Sequence, residues 1–305
     1  MKLFGRILVT LIILYISNGE KTSETEDVEL FTSPLERIPV HHALKSLEEA
    51  VKEIMAIEDF CQKHYGNVTY GTIQKKNDNE HSGFAVKKPS DCADLFKAGN
   101  RTSGVYKIYL KSSWIVEKEI NVYCDMETHG GGWTVFQRRG DFPSRVNFTR
   151  SWEEYANGFG NLHEEFWLGN ENIHKLSAEK NVTLRVVLED WKGNSRHANY
   201  DSFEVGPAKH FYKLLLGKYE GDAGDSLTYH NDSDFATYDH DTKTECSKTY
   251  RGGWWYKICH HSNLNGENLK GVNDRDSVGI TWKYWLGQRY SLKWTEMKMR
   301  PSSFN

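Results

Sequence analysis

The chain has no second long apolar run. Beyond residues 7–16 (ILVTLIILYI) no stretch approaches the roughly 20 residues that a membrane-spanning helix needs, so no membrane span is expected downstream. It has no basic block either. Its 39 basic and 42 acidic side chains leave a net charge of −3 spread along the sequence, which recommends no nucleic-acid partner. None of the five cysteines stands in a C-x-x-C pair, which sets aside a zinc ribbon and a thioredoxin-type redox centre. No internal repeat is present.

What the chain does have begins at residues 1–19. Lys2 and Arg6 precede the apolar run and the small polar tripeptide SNG follows it, the build of a secretory signal peptide. An uncleaved anchor is the alternative, but ten apolar residues are short for one. The protein is therefore expected to be secreted and extracellular. In an oxidising compartment Cys61, Cys92, Cys124, Cys246 and Cys259 form an odd set: four can pair and one is left over. Five N-x-S/T sequons, at Asn67, Asn100, Asn147, Asn181 and Asn231, are expected to carry glycans on the surface. Ten Trp and sixteen Tyr offer material for both a large core and an aromatic-lined site.

Residues 20–40 are polar and acidic, an extended lead-in. Over residues 41–61 Leu44, Leu47, Val51 and Ile54 keep a 3-4-3 spacing, with Cys61 one heptad further on. Such a helix either self-associates as a short coiled coil or lies on the main domain. Cys61 on the same stripe favours a homo-oligomer through residues 41–61. Residues 62–89 read as linker. From residue 90 the texture becomes short strands and turns: GVYKIYL, INVYCDM, GGGWTVFQRR and the cleanly alternating NVTLRVVLEDW. SWEEYANGFG carries a Ser N-cap and a terminal Gly, a short helix. The fold class is mixed α+β with a loop-rich last third.

The stretches DCADLFKAGNRTSGVYKIYL, VYCDMETHGGGWTVFQRR, SWEEYANGFGNLHEEFWLGNENIHKL and GGWWYKICHHSNLNG occur in that order. Together they resemble the fibrinogen C-terminal domain, over residues 90–301. The resemblance implies a central antiparallel sheet with helices, a disulfide-tied N-terminal piece and a loop-dominated C-terminal part bearing a binding pocket. It implies the pairings Cys92–Cys124 and Cys246–Cys259, leaving Cys61 for an interchain bridge. A Cys259–His260 nucleophilic centre needs a free thiolate, which such a pairing removes, so an enzyme is not expected.

In the sugar-binding members of this family the matching stretch encloses an acetyl group, with backbone N–H groups at the cysteine and the following histidine meeting its carbonyl oxygen. Carried over, the ligand pocket comprises Tyr250, Trp255, Ile258, Cys259 and His260, with a cis bond between Ile258 and Cys259, while Trp254 and Trp255 also read as scaffold, their main role in this family. Two further aromatic positions of that pocket are occupied here by Asp276 and Gln288, and Ser277 follows the first. The segment DHDTKTEC resembles the family's acidic loop and makes Asp239, Asp241, Lys243 and Glu245 the candidate Ca²⁺ site. Hard oxygen ligands at alternate residues suit that ion. The loop is shorter than usual and lacks a third acid, so a solvated turn is the competing reading. Arg139-Gly140-Asp141 is an adhesion tripeptide, but one expected to follow a buried strand.

The resulting expectation is a secreted, multivalent, fibrinogen-related recognition lectin binding acetylated glycans on microbial or cell surfaces. Its alternative is a signalling ligand of the angiopoietin or fibrinogen-like type, gripping a cell-surface receptor through the same loops.

Overall fold

A computed structural model describes residues 88–111, 117–241 and 243–304. The expected signal peptide, lead-in and helix over 41–61 with Cys61, nearly all of the expected linker, and Asn67 lie outside the described residues.

The chain runs through α1 (Cys92–Lys97), β1 (Gly104–Lys111), β2 (Glu117–Asp125), β3 (Trp133–Arg139), α2 (Trp152–Asn157), β4 (Phe159–Gly160), β5 (Phe166–Trp167) and α3 (Asn170–Ala178). It continues with β6 (Val182–Glu189), β7 (Ser195–Val205), β8 (Leu214–Leu216) and β9 (Tyr219–Gly221). The last third holds α4 (Cys246–Tyr250), β10 (Ser262–Asn263), β11 (Gly271–Val272), β12 (Thr281–Trp282), α5 (Lys283–Leu286) and β13 (Tyr290–Ser291) before β14 (Trp294–Pro301). The main sheet is antiparallel in the order β1-β2-β3-β14-β6-β7-β8, with β5 and β9 pairing to β3 and β7. The C-terminal strand thus closes the sheet at its centre. The fold is the expected α+β class.

Local sequence explains these elements. In α2, Ser151 accepts from the Glu154 N–H while Glu154 Oε2 accepts from the Ser151 N–H, a capping box that satisfies two orphan donors. In β6, Val182, Leu184, Val186 and Leu188 are at most 2% exposed and form one face. Across the ladder Met297 pairs with Val186 and Met299 with Leu184, which extends the apolar face into β14. The intervening residues of β14, Glu296, Lys298 and Arg300, stand on the opposite face beside Val187, Arg185 and Thr183. One face of the sheet is core and the other is charged.

The Cys92–Cys124 disulfide ties α1 to β2, with Cα atoms 5.5 Å apart. Asn147 and Asn181 are exposed, and Asn100 and Asn231 are half-buried. Arg139 is 2% exposed and its Nε donates to Glu165 Oε1 at 3.0 Å, so the adhesion tripeptide offers no free arginine.

Candidate functional site

The loop-rich third is organised around the stretch that begins at Gly252. Gly252 has φ 144, and a Cβ there would lie 2.4 Å from the Asn265 carbonyl oxygen. A Cβ at Gly253 would lie 2.6 Å from the Tyr155 ring. Only glycine allows both approaches. They press Trp254 and Trp255 into the core, each 0% exposed. Trp255 donates its Nε1–H to the Tyr212 carbonyl at 2.8 Å and packs on Phe235 and Trp167. Of the two readings of Trp255 it is scaffold rather than pocket wall: a fully buried indole meets no ligand.

Cys246 and Cys259 are joined, Cα to Cα 5.3 Å, which fastens the start of α4 to the turn carrying His260. Cys259 therefore has no thiol. The cis bond expected between Ile258 and Cys259 is trans, as are all described peptide bonds. The chain reverses instead through Cys259 at φ 44, with the Lys257 N–H donating to the Cys259 carbonyl at 3.0 Å. Ile258 sits at the tip, 89% exposed. The Cys259 and His260 N–H groups find no backbone acceptor among the described residues.

The other pocket residues gather on His260. Tyr250, half-buried at the end of α4, meets the His260 ring edge to face at 4.8 Å. His260 Nε2 lies 3.0 Å from the Ser277 carbonyl, so Nε2 carries the proton and Nδ1 is a buried acceptor with no donor among the described residues. Gln288 donates its side-chain N–H to the His260 carbonyl at 2.8 Å, and its own carbonyl accepts from the Ser277 N–H at 3.0 Å. Gln288 thus ties the two walls together where a ring was expected. Asp276 faces solvent and its nearest cation is Arg289 at 3.8 Å. Next to Ile258 lies a separate depression of about 250 Å³, lined in part by Phe211, Asp234, His240, Lys243 and Tyr256.

His230, which sequence reasoning missed, anchors the whole turn. Its Nδ1–H donates to the Trp255 carbonyl at 2.7 Å, and its Nε2 accepts from both the His261 and Ser262 N–H groups at 3.1 and 3.2 Å. Only the neutral ring can do both. Its partners lie 25 to 32 residues away, so no local pattern announces it. Burial pushes the His230 pKa down to about 3 and that of His260 to about 4. Both lie below the ordinary value, so the unfolded chain binds the extra protons first. Their contribution is complete above about pH 6.5 and is lost as pH falls through about 4 and then 3. Urea unfolding should show a fall of several kcal/mol between about pH 7 and about pH 4. His230→Gln should be less stable at neutrality and should flatten part of that slope. A wild-type profile with no fall, or a slope unchanged in the variant, would contradict the role assigned to His230.

The acidic loop is engaged with its own chain. Asp239 Oδ1 accepts from the Thr237 hydroxyl at 2.7 Å and the Trp152 N–H at 3.0 Å. Asp241 takes the Thr244 N–H at 2.9 Å, the Ser247 N–H at 3.1 Å and the Ser247 hydroxyl at 2.8 Å. Burial would raise the Asp241 pKa, but the Thr244 and Ser247 hydrogen bonds outweigh it and hold the carboxyl below its ordinary value. Lys243 is paired with Asp234, and Glu245 with Lys248 at 2.6 Å. No cluster of three metal-ligating side chains occurs among the described residues. The Asp239 and Asp241 carboxylates already accept N–H and O–H groups of their own chain, as the competing reading of a hydrogen-bonded turn requires. Asp241→Ala should therefore cost about 1–3 kcal/mol whether or not calcium is present, by stranding the Thr244 and Ser247 donors. Millimolar calcium should leave wild-type melting unchanged; a rise that Asp241→Ala erased would restore the ion.

The fold and this disulfide-stapled loop define a fibrinogen-like globe. The family described as fibrinogen beta and gamma chains, C-terminal globular domain, matches residues 88–302, and the chain belongs to it. The chain is 47% identical to Techylectin-5A of Tachypleus tridentatus, over 71% of this chain and 75% of that protein. Its identity to human Angiopoietin-related protein 7 is 45%, over 70% of this chain and 62% of that protein. Against Gallus gallus Tenascin-R it is 44% over 72% of this chain, spanning only 16% of that protein. Among solved structures, the fibrinogen-like globe domain of human ANGPTL2 superposes with a TM-score of 0.66 at 42% identity, covering 70% of this chain and 99% of that one. The lamprey fibrin D-dimer, complexed with the peptide ligand Gly-His-Arg-Pro-amide, gives 0.66 at 28% identity, covering 99% and 95%. Among the described residues, no helix is long and apolar enough to cross a membrane.

Proposed function

We propose that the chain is a secreted, non-enzymatic recognition lectin that binds acetylated groups of surface glycans at the turn joining Tyr250 to His260. The observation that carries this reading is the pair of consecutive N–H groups at Cys259 and His260, without backbone acceptors among the described residues, beside the half-buried Tyr250 ring. Two unpaired donors suit a carbonyl oxygen, and an aromatic neighbour suits a methyl group. The similarity to Techylectin-5A supports the same reading. Each site is weak, and linkage of chains through residues 41–61 and Cys61 supplies avidity.

The protein should be retained on immobilised N-acetylglucosamine and released by the free sugar. Tyr250→Ala should weaken retention about tenfold or more while melting stays near wild type. Cys61→Ser should abolish a disulfide-linked multimer on non-reducing gels and weaken retention further. Flow-through of the folded wild-type protein on acetylated resins would contradict the reading. The second reading, a ligand for a protein receptor, draws on the exposure of Ile258 and Tyr284, 89% and 56%, near the same turn. Isolated exposed apolar residues are ordinary, so the acetyl reading stands first.

A further inference from the structure

The charged face of the main sheet carries two adjoining depressions of about 600 Å³ each, and His129 and Arg185 line both. Most charges on this floor are matched. Arg138 meets Glu296 at 2.8 Å, and Lys298 is paired with Glu296 at 3.0 Å and with Asp125. Asp201, Lys218 and Glu220 also line the second depression, where Arg185 is the buried cation with no carboxylate partner among the described residues. It is 6% exposed, its Nη1 donates to the neutral Asn199 amide at 2.8 Å, and its Nη2 faces His129 Nε2. Its Nε–H is buried and has no acceptor among the described residues. Asp222 and Asp125 act on it only from longer range, and Arg300 opposes its charge.

Arg300 is likewise held by neutral groups. Its Nη1 donates to the His129 and Gly131 carbonyls at 3.0 and 2.7 Å, and its guanidinium lies 4.1 Å from the Trp133 ring centroid. A buried cation without a counter-charge is costly unless something else satisfies it. Arg185 is such a cation, and with the half-buried Arg300 bordering the same depression an anion is the complementary occupant. The fork of an arginine matches a tetrahedral oxyanion better than a single-atom halide.

We propose that this groove is a second binding site, for a sulfate or phosphate monoester, with Arg185 as the central donor and Arg300 at the side. The groove's volume leaves room for the group that bears the ester. The site shares no residue with the Tyr250 turn and is independent of the lectin reading.

The test uses the full-length protein and inorganic sulfate, inorganic phosphate and chloride at matched ionic strength, with the Arg185 Nε–H followed by NMR. The expected result is a saturable shift of that resonance with sulfate or phosphate and none with chloride. A sulfated and a phosphorylated monosaccharide then identify the ester by which binds more tightly. Arg185→Gln should weaken binding about 10- to 100-fold. Because that variant can fail to fold, Arg300→Gln serves alongside it, with a smaller loss expected, and Tyr250→Ala should bind sulfate as the wild type does. No saturable shift in the wild type, or an equal shift with chloride, would overturn the proposal.

Discussion

Replacing Glu165 by Ala is expected to lower the stability of the globe by about 3–5 kcal/mol, as breaking a buried ion pair does. The Glu165 and Arg139 side chains are 1% and 3% exposed. Glu165 Oε1 accepts from Arg139 Nε at 3.0 Å and Oε2 from the Val146 N–H at 2.8 Å. Without the carboxylate, Arg139 stays buried with no counter-charge. The consequence reaches the binding turn, because Arg139 Nη1 also holds the Leu264 and Gly266 carbonyls, at 3.3 and 2.7 Å. Denaturant midpoints measure the effect. The exposed pair Lys107–Glu119 provides the contrast, since Lys107→Ala should leave melting unchanged. A loss at Glu165 no larger than at Lys107 would mean that the pair is not what joins β3 to the loops.

Removing the second disulfide should cost nearly as much and should also cost function. Cys246 and Cys259 are 13 residues apart, and a loop of that size is worth about 3 kcal/mol in the chain-entropy model. The double variant Cys246→Ala, Cys259→Ala should be less stable by about that amount in denaturant unfolding. Because the bridge fastens the helix bearing Tyr250 to the turn bearing His260, retention on acetylated resin should disappear at temperatures where the variant is still folded. Undiminished retention by the folded variant would show that the turn is held by His230 and Gln288 alone.

The sheet was largely legible in the sequence. The alternation of β6 fixes which residues face the core, and Ser151 with Glu154 announces α2 by a purely local mechanism. The pairing of four cysteines followed from resemblance and is present. The site was legible in part. Tyr250, His260, Ser277 and Gln288 do converge, but Gln288 acts as a hydrogen-bonded brace and Trp255 as core. Asp239 and Asp241 show what spacing alone does not record in loops. Alternate carboxylates suggest a cation, whereas the folded chain turns each one onto its own N–H and O–H donors. His230 and the unmatched Arg185 were invisible for a different reason. Their significance lies in partners brought together from distant strands and loops, which a local pattern does not record.

The most direct test of the central claim is an amide NMR titration of the folded protein with N-acetylglucosamine, using glucose as the unacetylated control. The account predicts saturable shifts centred on the Cys259 and His260 amides and the Tyr250 ring, absent with glucose. Shifts confined elsewhere, or the same shifts with glucose, would contradict it.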